Sequence, residues 1–465
     1  MDVTSKLWNF CHILRHDGMD YADYVEQLTY LLFLKMADEN GIDVPKDCRW
    51  QNMLLLEGEQ LKEVYDHALN TLKYEKGILG KIFQEPISKI QNPANLKRII
   101  EGIEEIGWTK LGKDIQGEAF EGLLEKTANE GKKGAGQFFT PRPLIQAIVN
   151  VMQPSPLGNS NFKISDVACG TAGFLTVAAD WIKEHHSTEQ LTQTEEDYIR
   201  QKAFHGQELV VRPYRLALMN MFLHGIEANL KLGDSIYTSD IQIESIDCII
   251  TNPPFGTRGS IGTPKQRNFR VETSNIQINF IQHIYDTLKK GGRAAIVLPD
   301  GCLTDTKAKE LWQIFIEEKL CNIHTILKLP RGTFTPYAQG VKACVVFLQK
   351  GVGTKDIWVY DARTDVEEIT KNDRPLNYNQ HFRHFVRSFG KNPNGASNRS
   401  DNERFTRYGI EQVQERNYDL SFNKIITPKP LEPPIFYVDK LINNFENQLK
   451  ELYQLRELLD PKRNE

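Results

Sequence analysis

The stretch Ser245–Gly256, SIDCIITNPPFG, constrains the chain more than any other. A strand-like, mostly apolar run goes straight into Asn252-Pro253-Pro254-Phe255. Consecutive prolines remove backbone donors and fix φ, and the residue before each is pushed towards extended conformations. A buried strand that ends this way ends in a rigid corner, with an amide on one side and an aromatic ring on the other. The Asn252 amide oxygen and the Pro253 carbonyl can converge on one small volume. Two acceptors at one point suit a ligand NH2 group, and Phe255 offers a flat face to an aromatic ring. An aromatic amine is a poor nucleophile, because its lone pair is delocalised into the ring. Acceptors placed out of the ring plane favour the pyramidal geometry that attack requires. A plain turn after a strand would more readily use Gly, Asp or Asn.

Other short apolar strands, separated by helical runs, surround this corner: FKISDVACG from Phe162, AFHGQEL from Ala203, NLKLGD from Asn229, GGRAAIVLPDG from Gly291, HTILKLP from His324 and ACVVFLQ from Ala343. The alternation predicts an α/β fold, a parallel sheet with helices on both faces. Sites in such sheets lie at the carboxyl ends of the strands. Asp166 closes one predicted strand and is followed by a small-residue turn, Gly170-Thr171-Ala172-Gly173, that permits close approach of a ligand. Glu208 and Asp234 close two more. Taken singly, each is equally a surface acid or a turn residue. A dinucleotide dehydrogenase is the rival, but the turn lacks G-x-G-x-x-G, and Glu208 comes well beyond the ~20 residues at which that fingerprint places its acid.

Residues 1–130 read as a helical N-terminal domain, 131–430 as the α/β domain and 431–465 as a helical tail. MDYADYVEQLTYLLFLKMADENG and NLKRIIEGIEEIG carry helical periodicity. Residues 389–405 are polar and turn-rich, a mobile loop by composition. In the tail, Ile435, Val438, Ile442, Phe445, Leu449, Leu452 and Leu459 follow a three-four spacing of coiled-coil type, broken by Arg456. That pattern suits either a partner's helices or a terminal helix folded on its own domain. The seven cysteines are scattered singly with no Cys-x-x-Cys pair, which fits free thiols in a reducing cytoplasm. His381 and His384 are three apart but lack a third ligand, so no metal site is expected. No apolar run is long enough to span a bilayer, and the N-terminus has no signal-peptide pattern. With a net charge of −4, the chain gives no overall hint of a nucleic-acid partner, so such binding would need local patches or a second subunit.

NPPF together with DVACGTAGFL looks like the catalytic and cofactor motifs of S-adenosylmethionine-dependent amino-methyltransferases, and GQFFTPRPL upstream is similar to the cofactor motif that comes first in one adenine-N6 group. LWNFCHILRHDGMDYADYVEQLTYLLFLK, LPRGTFTPYAQGVKACVVFLQKG and NYDLSFNK complete a set that resembles the modification (methyltransferase) subunit of type I restriction–modification systems over nearly the whole chain. The resemblance implies a Rossmann-like methyltransferase sheet that moves a methyl group from S-adenosylmethionine to the N6 amine of an adenine flipped out of DNA, without a metal. It implies that Gln137, Phe138, Phe139, Thr140, Pro141 and Arg142 wrap the methionine end of the cofactor, that Gly170, Thr171, Ala172 and Gly173 pass beneath it, and that Asp166 sits near its amine. Glu208 would hold the ribose hydroxyls. Asp234, from its place at a strand end rather than from the resemblance, could accept from an exocyclic amine. Asn252 and Pro253 would accept from the target amine, with Pro254 stiffening the corner and Phe255 stacking on the base. The family more often has proline where Val167 stands and glycine where Ala172 stands; the alanine is tolerable only with a negative φ. The implied partners are double-stranded DNA, a specificity subunit, a second methyltransferase subunit and a restriction (endonuclease/translocase) subunit.

The loop GTRGSIGTPKQRNFRVETSN places Arg258, Lys265, Arg267 and Arg270 after the corner, where they would either clamp a phosphate backbone or sit solvated. The nearest alternative keeps the chemistry and changes the substrate to RNA or a protein glutamine. Those enzymes usually have tyrosine where Phe255 stands and would not carry the helical N-terminus or the heptad tail. A catalytically silent scaffold is the other alternative, against which every chemical position of the motif set is occupied.

Overall fold

A computed structural model describes residues 3–15, 18–39, 41–108, 111–130, 139–159, 161–186, 191–237, 244–255, 264, 268–335, 340–371, 373–423 and 433–458. The chain divides into two compact units, Met1–Ser421 and Phe422–Glu465.

The first unit opens with α1 (Val3–Leu14), α2 (Tyr21–Glu39), α3 (Trp50–Leu54), α4 (Gly58–Leu72), α5 (Gly77–Ile82), α6 (Pro93–Ile106) and α7 (Lys113–Glu130). α2 is the centre of this bundle, with Leu28 and every residue from Tyr30 to Leu34 buried, as expected of a helix that is apolar nearly all round. α6 shows how local sequence sets its ends: the Asn92 side chain caps the first turn, Pro93 follows, and Gly107 closes the helix at φ 61°.

The α/β portion follows. Its strands are β1 (Ile164–Asp166), β2 (Phe204–Glu208), β3 (Asn229–Leu232), β4 (Ile246–Thr251), β5 (Leu288–Pro299), β6 (Cys321–Lys328), β7 (Ala343–Lys350), β8 (Asp356–Asp361) and β9 (Phe405–Gly409). Between and after them lie α8 (Arg142–Met152), α9 (Gly173–His185), α10 (Gln193–Gln201), α11 (Val211–Leu223), α12 (Ile276–Thr287), α13 (Thr306–Glu317), α14 (Tyr378–His381), α15 (Arg383–Phe389) and α16 (Ile410–Glu415). The sheet order is β3-β2-β1-β4-β5-β7-β6-β8-β9. All seven strands expected from the sequence are present, but the sheet is not wholly parallel: β7 runs antiparallel to β5 and β6, and β9 antiparallel to β8. The described part of the link between β6 and β7 is a turn without a helix, and a parallel return would need a crossover. β8 and β9 extend the sheet beyond the expected set.

Neighbouring β1 and β4 are parallel, yet the chain leaves β1 towards β2 on one side and passes from β4 to β5 on the other. That divergence is a topological switch point, where a crevice opens outside the carboxyl ends of the strands.

Residues 389–405, expected to be mobile, are pinned. Arg399 donates to the Phe389 carbonyl at 3.0 Å and the Thr325 hydroxyl at 2.8 Å, and its guanidinium lies 4.4 Å from the Phe389 ring centroid. His381 is engaged with the Asn377 backbone, and the His384 imidazole bonds the Tyr360 hydroxyl at 2.8 Å. Neither belongs to a group of potential metal ligands among the described residues. All seven cysteines are free and buried. No helix among the described residues is long and apolar enough to cross a membrane.

The second unit contributes α17 (Pro434–Leu458), on which Ile435, Val438, Leu441, Ile442, Phe445, Leu449 and Leu452 are exposed. Leu459 lies outside the described residues.

Arg215, on α11, locks the N-terminal helices to the sheet. Almost fully buried, it pairs with Glu26 of α2, donates to the carbonyls of Ile82 and Gln84, and lies 4.8 Å from the Tyr30 ring centroid. Removing one partner of a buried pair leaves the other charge uncompensated, at a cost of about 3–5 kcal/mol. Arg215→Ala is therefore expected to lower the chemical-denaturation midpoint by that order of free energy; an unchanged midpoint would show that the helices dock by apolar packing alone.

Candidate active site

A cavity of about 670 Å³ runs along the carboxyl edge of β1, β2 and β4. Its walls are built by the strand ends and the turns that follow them.

β1 ends in Asp166, which is nearly fully buried. Its Oδ1 accepts from the Thr251 hydroxyl at 2.6 Å and from the Ala168 N–H at 3.1 Å. Burial pushes the carboxyl up to about 7, against the pull of these two donors and with the help of the nearby Glu208 charge. The turn beyond it is set by backbone geometry. Gly170 sits at φ 53° and donates its N–H to Glu208 Oε2 at 3.0 Å. Ala172 also lies in the left-handed region, at φ 65°, contrary to the negative φ expected of an alanine there. It is held by its own N–H on the Cys169 carbonyl (2.7 Å) and by its carbonyl on the Thr176 N–H (2.9 Å), as the N-cap of α9. Its methyl is fully buried and it does not line the cavity.

Glu208 ends β2. Its second oxygen accepts from the Val210 N–H at 2.8 Å, and burial raises its pKa against the backbone donors that hold it. A carboxylate offers about four lone-pair directions; with the backbone N–H groups of Gly170, Val210 and Leu209 bearing on it, acceptor capacity remains for a ligand hydroxyl. After β3, Asp234 accepts from the N–H groups of Ile236 and Tyr237 at 2.8 and 3.1 Å.

At the end of β4 the proline corner takes shape. Pro253 is buried and Pro254 exposed, and the Pro254 carbonyl is occupied by the Gln277 side chain at 2.9 Å. The Asn252 NH2 donates to the Thr140 hydroxyl at 3.0 Å, while its Oδ1 is buried without a donor. An orphaned buried acceptor costs about 1–3 kcal/mol, and a ligand N–H would relieve it. Phe255 meets Phe334 edge to face, with centroids 5.4 Å apart and planes at 89°.

Of the residues expected at the site, Phe139, Thr140, Arg142, Asp166, Gly170, Thr171, Gly173, Glu208, Asp234, Asn252, Pro253, Pro254 and Phe255 line this one cavity. Pro141 and Ala172 are not among its lining residues; Pro141 instead caps α8. Gln137 and Phe138 lie outside the described residues, as do Arg258, Lys265 and Arg267. Arg270 is exposed, pairs with Asp286 at 3.2 Å and stacks 4.5 Å from the Tyr285 centroid. The Arg142 guanidinium, expected on the cofactor, is held by Glu121 and Asp180.

Several residues had no separate signal in the sequence. Thr251 read as the last residue of a strand, and Phe334 as one position in a long motif. Asn220 of α11 donates to the Thr171 carbonyl at 3.0 Å, which fixes its amide orientation and leaves its Oδ1 buried without a donor. Glu118, Glu121 and Glu125 of α7 also line the cavity.

The chain matches known proteins over most of its length. Residues 111–432 match the family model described as N-6 DNA methylase, and residues 3–103 match the HsdM N-terminal domain. The chain is 38% identical over 427 residues to the type I restriction enzyme StySPI methylase subunit of Salmonella potsdam, covering 86% of this chain and 78% of that protein. It is 37% identical, over the same shares, to the EcoKI methylase subunit of Escherichia coli K12. The crystal structure of the EcoKI M protein superposes with a TM-score of 0.56 at 30% identity, covering 100% of this chain and 97% of that one. A chain from a study of type I R-M complex assembly superposes at 0.75 and 27% identity, covering 98% of each. The chain belongs to the N-6 DNA methylase family, among the methylase subunits of type I restriction enzymes.

Proposed function

We propose that the cavity holds S-adenosylmethionine along the ends of β1, β2 and β4, and that the chain methylates the N6 amine of an adenine flipped out of DNA. The observation that carries this reading is the buried, unpaired Asn252 oxygen on a rigid corner that ends in Phe255, whose ring meets Phe334 edge to face. The fit is chemical as well as spatial. The volume falls within the ~300–1,000 Å³ of small-molecule sites. Glu208 and Asp234 offer acceptors at the adenosine half, while Thr140, the glycine turn and the Asp166 carboxyl enclose the methionine half. When bound, the cofactor supplies an electrophilic methyl group on a sulfonium sulfur.

The chain's own residues then do the following. Asn252 Oδ1 and the Pro253 carbonyl accept from the adenine amine and draw its lone pair out of conjugation. Thr140 holds the other end of the Asn252 amide in place. Phe255 stacks on the base, returning on the order of 1–3 kcal/mol of the few kcal/mol spent on extrusion. Phe334 supports that ring from its edge. RNA or a protein glutamine as substrate has no comparable support, because the family and the relatives are DNA methylases.

Sequence choice is assigned to a separate specificity subunit, working with a second copy of this chain, a restriction subunit and double-stranded DNA. The exposed apolar row on α17 supports docking through that helix. The buried free thiols support a reducing cytoplasm.

Asn252→Ala is expected to lower turnover on DNA about 10²–10³-fold, with cofactor affinity by calorimetry nearly unchanged; wild-type turnover would remove the assigned role. Glu208→Ala should weaken cofactor binding at least tenfold, at a cost of the order of one charged hydrogen bond, and an unchanged Kd would refute the ribose contact. The Asp166 carboxyl, raised from 3.8 to about 7, implies a pH dependence of known sign. Folding keeps this proton that the unfolded chain has lost, so the group costs stability progressively as pH rises from about 4 to 7. An ammonium-bearing ligand selects the ionised form. Cofactor affinity should therefore climb with pH up to about 7 and then level off, and Asp166→Asn should flatten that climb. A climb of the same steepness in the variant would exclude Asp166 as its source.

A further inference from the structure

We infer that Glu121, on α7, is a positioning residue for the cofactor: a single carboxylate tethers both walls of the methionine half of the cavity. This rests on the cofactor reading above. One wall is the segment Phe139–Thr140, which lines the cavity and runs directly into Arg142, the first turn of α8. The Arg142 guanidinium pairs with Glu121 and with Asp180 of α9. The other wall is the glycine turn, which runs directly into α9. There the Thr176 hydroxyl lies 2.7 Å from Glu121 Oε1 and 3.1 Å from the Gly173 carbonyl. Glu121 thus holds the entry to α8 through a guanidinium and the first turn of α9 through a hydroxyl.

The helix that carries Glu121 is itself held close. The imidazole of His224, the residue that follows α11, lies where a side chain at Gly117 would project, 2.8 Å from its Cβ position. Its Nε2 is 3.8 Å from Glu121 and 3.9 Å from Asp180. Lys183 donates to the His224 carbonyl at 3.3 Å. Burial keeps His224 below the usual imidazole range, so its ring fills space without competing for the carboxylate as a cation. Glu121 is 14% exposed and Arg142 36%, so the carboxylate end of the pair is largely withdrawn from solvent while the guanidinium is partly open to it.

The test is calorimetric titration of wild type, Glu121→Ala, Arg142→Ala and the double variant with S-adenosylmethionine, S-adenosylhomocysteine and 5′-methylthioadenosine, which lacks the amino-acid moiety. Glu121→Ala should weaken the first two ligands about tenfold and leave methylthioadenosine unchanged. The double variant should bind no more weakly than the worse single one. Glu121→Gln, which keeps an acceptor for Thr176, should lose about threefold and serves if the alanine variant does not fold. Unchanged S-adenosylmethionine affinity, an equal loss for methylthioadenosine, or losses that multiply in the double variant would each overturn the inference. Failure of the wild type to bind S-adenosylmethionine would instead refute the cofactor reading.

Discussion

The hydrogen bond from the Thr251 hydroxyl to the Asp166 carboxylate, 2.6 Å long, closes the one seam along which this sheet opens. β1 and β4 are neighbours, but the chain departs from them in opposite directions, and the last rung of their ladder pairs Ser165 with Ile249. Beyond that rung nothing in the sheet itself fixes how far the two strand ends stand apart. Thr251 and Asp166 bridge that gap with a charge-assisted bond, the stronger kind in a buried setting. Asn252 is the next residue. The position of the Asn252 amide relative to the cavity is therefore inherited from a side-chain bond one residue earlier, and the stiffness of Pro253 and Pro254 carries it forward. The same burial that makes the bond firm disfavours the carboxylate, so this acid titrates near neutrality instead of with the exposed acids.

A second anchor secures the turn after β1. Glu208 takes the Gly170 N–H on one oxygen and the Val210 N–H on the other, joining the turns that follow β1 and β2. Asn220 grips the Thr171 carbonyl from α11. Within a turn so constrained, a left-handed alanine at position 172 is affordable: the strain is roughly 1–2 kcal/mol, set against two short backbone bonds and a fully buried methyl.

The fold class, the strand ends and the proline corner were legible because each rests on local rules: apolar runs, strand-to-helix alternation, and residues that fix their own backbone. What was hidden depends on partners distant in sequence. Thr251 is an unremarkable strand terminus until Asp166, 85 residues away, is brought beside it. The reversal of β7 could not be read from ACVVFLQ, which is equally good as a parallel or an antiparallel buried strand. The order of residues 389–405 follows from Arg399, whose partners Thr325 and Phe405 lie on other strands. The counter-charges of Arg142 were hidden for the same reason: motif position placed it at the cavity, which it lines, but Glu121 of α7 and Asp180 of α9 are distant in sequence.

The charges around the cavity bear on how DNA reaches it. Glu118, Glu121, Glu125, Asp166, Glu208 and Asp234 line it, and among the described lining residues Arg142 is the cation set against them. A concavity of that sign attracts a cationic ligand and repels phosphate. Within the proposed function this suits a sulfonium and opposes a polyanion, so the target base must enter alone, with its backbone kept at the rim. The energy to extract it, beyond what stacking on Phe255 returns, then has to come from surfaces outside the cavity. A chain with a net charge of −4 and an ordinary balance of acids and bases offers little non-specific phosphate attraction as a whole. Under the proposed function, that electrostatics implies a division of labour: this subunit would hold a cation and one extruded base, and the grip on the duplex would fall to partners in the restriction–modification system.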